Sequence, residues 1–139
     1  LGALLAAIVV SVIVIMANNS HAGDPSAESA GIAEIKLLKP SEFENLINND
    51  VFVINTHTPY IGEIEGTDLI IEDWENMASH SSQLPKDKNV PILVYCRRGR
   101  MSASAAQKLK EMGYNRIYDL EGGMNAWIES GRELADKNQ

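Results

Sequence analysis

The chain has 139 residues, of which 45% are hydrophobic and 22% are charged, as is usual for a globular protein. Its formal net charge of −7, with no broad basic stripe, argues against general nucleic-acid binding. Cys96 is the only cysteine, so an internal disulfide and a zinc site built from several thiolates are both excluded.

The amino end is an apolar segment that contains no charged residue. Leu1 to Ala17 is about as long as the shortest membrane-spanning helix and slightly longer than the apolar part of a usual signal peptide. Small residues precede a possible cleavage site after Ala22. We therefore expect residues 1–22 to be a signal peptide or a membrane anchor, and the protein to be exported to the periplasm or held on the membrane. Residues 23–31 are predicted to be a flexible linker, followed by a folded domain over residues 32–139.

Apolar periodicity divides the folded part into alternating strands and helices. The continuous runs "VFVIN" and "PILVY" are typical of strands that are buried on both sides. Ser41 and Glu44 have the spacing of a capping box at the start of the first helix. The alternation predicts an α/β fold, with a mainly parallel central sheet and helices on both faces. In chain order, the predicted elements are a strand at 35–38, a helix from Pro40, a strand at 51–55, a loop at 56–66, a helix at 73–81, a strand at 91–95, a helix at 101–112 ended by Gly113, a strand at 115–120 and a short helix in "GGMNAWIESG".

Cys96 stands where the buried strand at 91–95 ends and a helix is about to begin. Ligands bind at this edge of open α/β sheets. Backbone N–H groups that point inward from such a loop, together with the helix dipole, bind anions and stabilise a thiolate. Gly99 lets the backbone turn tightly, and Ser102 can cap the helix or donate a hydrogen bond into the loop. The pattern therefore predicts a reactive thiol.

Three arginines follow this cysteine in a chain that is acidic overall: Arg97, Arg98 and Arg100. Their guanidinium groups are permanently charged and offer forked donors to oxyanions, so we expect them to bind an anionic substrate. Plainer interpretations exist for the separate features, since Cys96 can be a small core residue and "RRGR" a solvated basic turn. Neither accounts for the strand, the thiol, the arginines, the glycine and the helix together.

Two motifs resemble the rhodanese family, and the order of elements agrees with it from about Ile35 to Arg132. "VYCRRGRMSASAAQKLKEMGY" is similar to the strand, six-residue active loop and following helix of single-domain rhodaneses, with Cys96 as the sulfur-carrying residue and Met101 closing the loop. "IYDLEGGMNAW" is similar to the family's Leu-x-Gly-Gly-x-x-x-Trp ending. The resemblance implies a rhodanese-like α/β domain.

One region departs from the family pattern. The family usually carries Asp-x-Arg at the end of its second strand and then a Gly-His-Ile-x-Gly-Ala turn. Here the strand ends with Asn55, Thr56 and His57, and Glu63 takes the place of the turn's His. We expect the fold to persist and the substrate preference to be the property affected. Two interpretations of His57 stay open: contact with the site, since its loop should lie near the same sheet edge, and a turn residue beside Pro59, which is the favoured one.

The resemblance implies sulfurtransferase chemistry that needs no metal and no organic cofactor. The Cys96 thiolate would attack the outer sulfur of thiosulfate or another small anionic donor, and sulfite or the donor's thiol would leave. The Cys96 persulfide would then pass its sulfur to a thiophilic acceptor such as cyanide or a thiol. Besides Cys96 as the catalytic residue, the residues expected to bind the donor are Arg97, Arg98, Gly99, Arg100, Met101 and Ser102.

The residues leave three alternatives open. A related phosphatase loop is one residue longer and carries an arginine six positions after its cysteine, where this chain has Ser102. Many rhodanese-like modules only bind or sense, and they usually lack the cysteine that this chain keeps. A protein-to-protein persulfide relay would use the same Cys96, and the sequence does not separate it from a small-molecule transferase.

Overall fold

The computed structural model describes residues 33–137. The predictions for residues 1–22 and 23–31 lie outside this range. Within it, no helix combines the length and the apolar character that crossing a membrane requires. The strands are β1 (Glu34–Leu38), β2 (Phe52–Asn55), β3 (Leu69–Ile70), β4 (Ile92–Tyr95) and β5 (Arg116–Leu120). The helices are α1 (Pro40–Ile47), a 3-10 helix (Trp74–His80), α2 (Arg100–Glu111) and α3 (Gly123–Glu129).

The strands form one sheet in the order β1-β5-β4-β2-β3, and every pairing is parallel. β4 lies in the middle, where Ile92 pairs with Phe52 on one side and with Ile117 on the other. Parallel strands need crossover connections that cover both faces of a sheet, which is why their sequences are continuous apolar runs. The predicted α/β fold with a mainly parallel sheet is confirmed.

Two apolar cores lie on opposite faces of the sheet, because successive side chains of a strand alternate between faces. In β4, Ile92 and Val94 pack against α2 and the 3-10 helix. Leu93 and Tyr95 pack on the other face against α1 and α3. All four side chains are fully buried. This double packing holds the carboxyl end of β4, and with it the residue that follows, in a fixed place.

The predicted capping box of the first helix is wrong. α1 begins at Pro40, which places Ser41 inside the helix and makes Lys39 the cap. The carboxylate that closes the turn is that of Glu42, which accepts a hydrogen bond from the Lys39 N–H at 2.9 Å. Proline suits the first helical position because its fixed φ is helical and its missing N–H would have no partner there. The observed capping box therefore pairs Lys39 with Glu42, in place of the predicted Ser41 with Glu44.

Several elements differ from the prediction, in presence, in form or in their first residue. The sequence analysis does not predict β3, because two residues are too short to show a period. The predicted helix at 73–81 is a 3-10 helix in which Asn76 leaves helical geometry, with φ −102° and ψ 37°. α2 begins at Arg100, one residue before the predicted start. These differences lie at element ends and in short connections, so they leave the sheet order unchanged.

Candidate active site

Cys96 follows the last residue of the central strand, and the chain folds a tight loop around its sulfur. The residue is only 2% exposed. The backbone N–H of Gly99 donates to Cys96 Sγ at 3.0 Å. Gly99 is the cap of α2 and has φ 96°, a left-handed conformation that favours glycine. The loop therefore presents a backbone donor to the thiol just where a helix begins.

A second helix start holds the same loop from outside. The N–H groups of Met124 and Asn125, in the first turn of α3, donate to the carbonyls of Cys96 and Arg97 at 2.8 and 3.0 Å. Sequence reasoning missed this contact, although the glycine pair Gly122 and Gly123 stands at the start of that helix. The glycine pair before a helix was the available signal, because glycines mark close backbone approach.

The thiol lies in a cavity of about 260 Å³. Most of the predicted site residues line this cavity, and the three arginine side chains are exposed around it. Gly99 and Ser102 lie behind the cavity wall, where each hydrogen-bonds to the sulfur. Arginine donors around a thiol in a small cavity suit a small anion. The lining residues are His57, Cys96, Arg97, Arg98, Arg100 and Met101.

Ser102 is completely buried in the first turn of α2 and does not cap the helix. Its hydroxyl lies 3.5 Å from Cys96 Sγ, within reach as a donor to sulfur. Asp119 on β5 is 1% exposed and lies opposite Val94, on the sheet face that α2 covers. Burial raises the pKa of Asp119 to about 6, although hydrogen bonds from the Ser102 hydroxyl and the Leu120 N–H act in the opposite direction. Sequence reasoning missed Asp119.

The interpretation of His57 as a turn residue is corrected, because its side chain lines the cavity and is only 7% exposed. Its backbone N–H donates to Asn55 Oδ1 at 2.9 Å, which fixes the residue beside the strand end. Burial first, and the charge of Arg97 second, lower the pKa of His57, while Glu72 acts in the opposite direction. The ring is therefore neutral near pH 7. β2 and β4 are parallel neighbours, so residues just past their ends meet at one edge of the sheet.

The two other positions that depart from the family pattern have structural partners. Asn55 is fully buried, and its side-chain amide donates to the Gly62 carbonyl at 3.2 Å. Glu63 is 3% exposed and forms an ion pair of 2.6 Å with Lys137. The backbones of Glu63 and Ala135 also exchange two hydrogen bonds, of 2.8 and 2.7 Å. These contacts connect the loop after β2 to the carboxyl-terminal segment.

A family model described as a rhodanese-like domain matches residues 39–130. A thiosulfate sulfurtransferase, GlpE, of Ectopseudomonas mendocina is 28% identical over 99 residues, which cover 69% of this chain and 87% of that protein. A sulfurtransferase of Allochromatium vinosum is 33% identical over 87 residues, which cover 59% of this chain and 76% of that protein.

Solved structures with the same fold agree with these matches. The polysulfide-sulfur transferase homodimer of Wolinella succinogenes superimposes with a TM-score of 0.59 at 26% identity, covering 76% of this chain and 81% of that chain. A rhodanese-related protein of Thermoplasma volcanium gives a TM-score of 0.60 at 24% identity, covering 72% and 97% of the two chains. The sequence motif, the sheet order and the family match thus converge, and the chain belongs to the rhodanese-like domain family.

Proposed function

We propose that this protein moves a sulfane sulfur from thiosulfate, or a similar small anionic donor, through a persulfide on Cys96 to a thiophilic acceptor such as cyanide or a thiol. The observation that carries the proposal is the position of Cys96 Sγ. It lies in a cavity lined by three arginines and accepts a hydrogen bond from the Gly99 N–H. A thiolate held in this way is a nucleophile placed beside a binding site for anions.

The first half-reaction balances without any external oxidant. The Cys96 thiolate attacks the outer sulfur of thiosulfate, a sulfur–sulfur bond forms at Cys96, and the donor's own sulfur–sulfur bond breaks. Sulfite leaves with the electron pair of the broken bond. The exposed guanidinium groups of Arg97, Arg98 and Arg100 stabilise the donor's charge and then the charge of the departing sulfite. The Gly99 N–H stabilises the negative charge on Cys96 before the attack.

In the second half-reaction the acceptor attacks the outer sulfur of the Cys96 persulfide. The new bond joins that sulfur to the acceptor, and the Cys96 thiolate leaves as it was before the cycle. Splitting the transfer into two displacements is what a covalent intermediate achieves. The cavity of about 260 Å³ admits cyanide or the end of a thiol-bearing chain. The same chemistry serves a relay in which the acceptor thiol belongs to a partner protein.

The test uses the full chain, kept in mild detergent because residues 1–17 are apolar. Thiosulfate and cyanide should yield thiocyanate, and intact mass after thiosulfate alone should show one added sulfur. Cys96→Ser, which preserves the side-chain size, should lose both signals. Equal thiocyanate rates for wild type and Cys96→Ser would sink the proposal. An added sulfur without thiocyanate formation would indicate a protein-to-protein persulfide relay. The absence of both the added sulfur and thiocyanate would indicate a binding module.

Export or anchoring through residues 1–22 stays a prediction. It is supported by the uncharged apolar segment at 1–17 and by the small residues Ser20 and Ala22 at positions −3 and −1 of the possible cleavage site. Expression of the full chain followed by cell fractionation and amino-terminal sequencing tests it. A new amino terminus at Gly23 in the periplasmic fraction indicates a cleaved signal, and an intact chain in the membrane fraction indicates an anchor. An intact chain in the cytosol would contradict both.

A further inference from the structure

A buried carboxyl group lies under the active loop, outside the cavity, and the proposed reaction gives it no role. Asp119 on β5 is 1% exposed, and its Oδ1 has no hydrogen-bond partner within the described residues. Asp119 lies on the same face of the sheet as Ile117, the face that α2 covers. Burying a carboxylate without a cation is costly, so an unpaired buried carboxyl calls for an explanation.

Ser102 connects this carboxyl to the nucleophile. Its hydroxyl is 3.5 Å from Cys96 Sγ, and it lowers the pKa of Asp119, which lies opposite Val94 on the sheet face that α2 covers. Ser102 is fully buried, so water does not compete for these contacts. A hydroxyl group has one proton and can donate it to only one partner at a time. The Ser102 proton therefore points either toward Asp119 or toward Cys96 Sγ.

We propose that Asp119 is a positioning residue that sets the direction of the Ser102 hydroxyl and thereby controls how readily Cys96 forms its thiolate. When Asp119 is ionised, its carboxylate accepts the Ser102 proton, and the oxygen lone pairs of Ser102 face the sulfur. When Asp119 is protonated, it donates to Ser102 Oγ, and the Ser102 proton turns to the Cys96 thiolate. The thiolate then accepts two hydrogen bonds, from Ser102 and from the Gly99 N–H.

The surroundings make both states of Asp119 accessible near neutral pH. Its pKa is raised to about 6 by burial, against the two hydrogen bonds that it accepts. Its cross-strand neighbours are the apolar residues Leu37 on β1 and Val94 on β4, and α2 contributes Ser102. The charged and titratable side chains that line the cavity with Cys96 are His57, Arg97, Arg98 and Arg100. These side chains line the cavity, whereas Asp119 is buried outside the cavity lining.

The direction of the effect follows from these contacts. Above about pH 6 an ionised Asp119 holds the Ser102 proton and adds a nearby negative charge, and both disfavour the Cys96 thiolate. Asp119→Asn has the same shape, never carries the negative charge, and has an amide NH2 that can donate to Ser102 Oγ. The variant should therefore form the Cys96 thiolate at lower pH than the wild type does.

The test is the pH profile of iodoacetamide alkylation, measured by intact mass on the full chain. Cys96 is the only cysteine, so the reading is unambiguous, and no sulfur donor is needed. In Asp119→Asn the midpoint of the profile should fall by about half to one pH unit, the size expected of one hydrogen bond. Glu121→Gln removes an exposed carboxylate two residues away and should leave the midpoint unchanged. An unchanged midpoint in Asp119→Asn would overturn the proposal.

A double-mutant cycle separates an effect of Asp119 that passes through the Ser102 hydroxyl from a direct effect of its charge on Cys96. In a Ser102→Ala background the Asp119→Asn shift should shrink to the part that comes from charge alone. Equal shifts in both backgrounds would show that Ser102 transmits nothing, which would contradict the inference. If Asp119→Asn does not fold, the wild-type chain still provides a test. Carbon-13 NMR of the Asp119 carboxyl should titrate differently in Cys96→Ser, because coupling between two sites is reciprocal.

The inference extends the proposed sulfur transfer, but it can fail separately. Alkylation reports only the state of the Cys96 thiol. A midpoint shift without any thiocyanate formation would therefore support the effect of Asp119 on Cys96 and contradict the proposed sulfur transfer to cyanide. Thiocyanate formation with an unshifted midpoint would do the reverse.

Discussion

The backbone N–H of Met124 donates to the carbonyl of Cys96 at 2.8 Å, so the last helix of the domain binds the peptide of the proposed nucleophile. The next N–H, from Asn125, donates to the Arg97 carbonyl at 3.0 Å. This contact requires the start of α3 to lie against the active loop without a side chain in between. Gly123 provides that approach with a left-handed φ of 59°.

Gly123→Ala should therefore damage both stability and activity. A Cβ at this position would collide with the Cys96 carbonyl oxygen and lie 2.7 Å from the Arg97 carbonyl carbon. Overpacking and the left-handed backbone together should lower the free energy of unfolding by about 2–5 kcal/mol. We expect kcat/KM for thiosulfate to fall at least about tenfold, because a misplaced nucleophile loses alignment.

Gly113→Ala is the matched control, since Gly113 has φ 93° and no atom within 4 Å of the added Cβ. It should cost about 1–2 kcal/mol of stability through its backbone alone and leave kcat/KM unchanged. Urea unfolding and thiocyanate assays on both variants test this. Equal activities of the two variants would mean that the α3 contact does not position the loop.

The active loop itself could be predicted because its features are contiguous in the sequence. An apolar run, a thiol, three arginines and a glycine before a helix indicate a strand end and an anion site together. The structure places Cys96, Arg97, Arg98 and Arg100 around one cavity, and their roles stay a prediction. Local patterns were also sufficient for the sheet class, since buried parallel strands are long apolar runs.

The contacts from other elements depend on which strands are neighbours, so the sequence offered His57 only as the less favoured of two interpretations and did not indicate Asp119 at all. His57 reaches the cavity through the β2–β4 pairing, and Asp119 reaches Ser102 through the β4–β5 pairing. An isolated aspartate in "NRIYDL" has no local sign of burial, because a strand pattern does not show which helix covers which face. The Met124 contact similarly joins two segments that are separated in the sequence.

The arginines around the cavity should affect donor binding more than the chemical step with the acceptor. Replacing Arg97, Arg98 or Arg100 by Ala should raise KM for thiosulfate about three- to tenfold, as expected for the loss of one hydrogen bond from an exposed side chain. Arg116→Ala, which removes an exposed arginine on β5, is the matched control. KM should also rise with ionic strength in the wild type, because these side chains are exposed and screened. Three variants with wild-type KM would identify a solvated turn without a role in binding.

The charge state of His57 should follow its two charged neighbours. Because Arg97 lowers the pKa of His57 and Glu72 raises it, Arg97→Ala should raise that pKa and Glu72→Gln should lower it further. NMR titration of the His57 ring in the three proteins measures both shifts. His80, which hydrogen-bonds to Asp73 and Gln83 in the 3-10 helix region, is an internal reference that should not move. Shifts of the wrong sign would place the His57 ring away from Arg97.

The ion pair between Glu63 and Lys137 should stabilise the loop after β2. The Glu63 side chain is 5% exposed and that of Lys137 is 50% exposed, with 2.6 Å between Oε1 and Nζ. Lys137→Met leaves a nearly buried carboxylate and should lower the free energy of unfolding by about 1–3 kcal/mol. Adding Glu63→Gln should recover part of that loss, because the unpaired charge is then gone. Lys86→Met, at an exposed position, is the control in urea unfolding, and equal losses in both lysine variants would contradict a specific pair.

Asp119 should also make the stability of the domain depend on pH in an unusual direction. Its pKa is raised from 3.8 to about 6 by burial, so the folded chain holds this proton more tightly than the unfolded chain does. The protonated group therefore favours folding below about pH 4, and that advantage is lost as pH rises through about 6. The two pKa values correspond to about 3 kcal/mol at full ionisation.

Asp119→Asn cannot ionise, so its stability should lack this fall and exceed that of the wild type more at pH 7 than at pH 4. Urea unfolding of both proteins across this range measures the difference, with Glu121→Gln as an exposed control. Parallel curves for wild type and Asp119→Asn would show that the buried carboxyl does not titrate in this window.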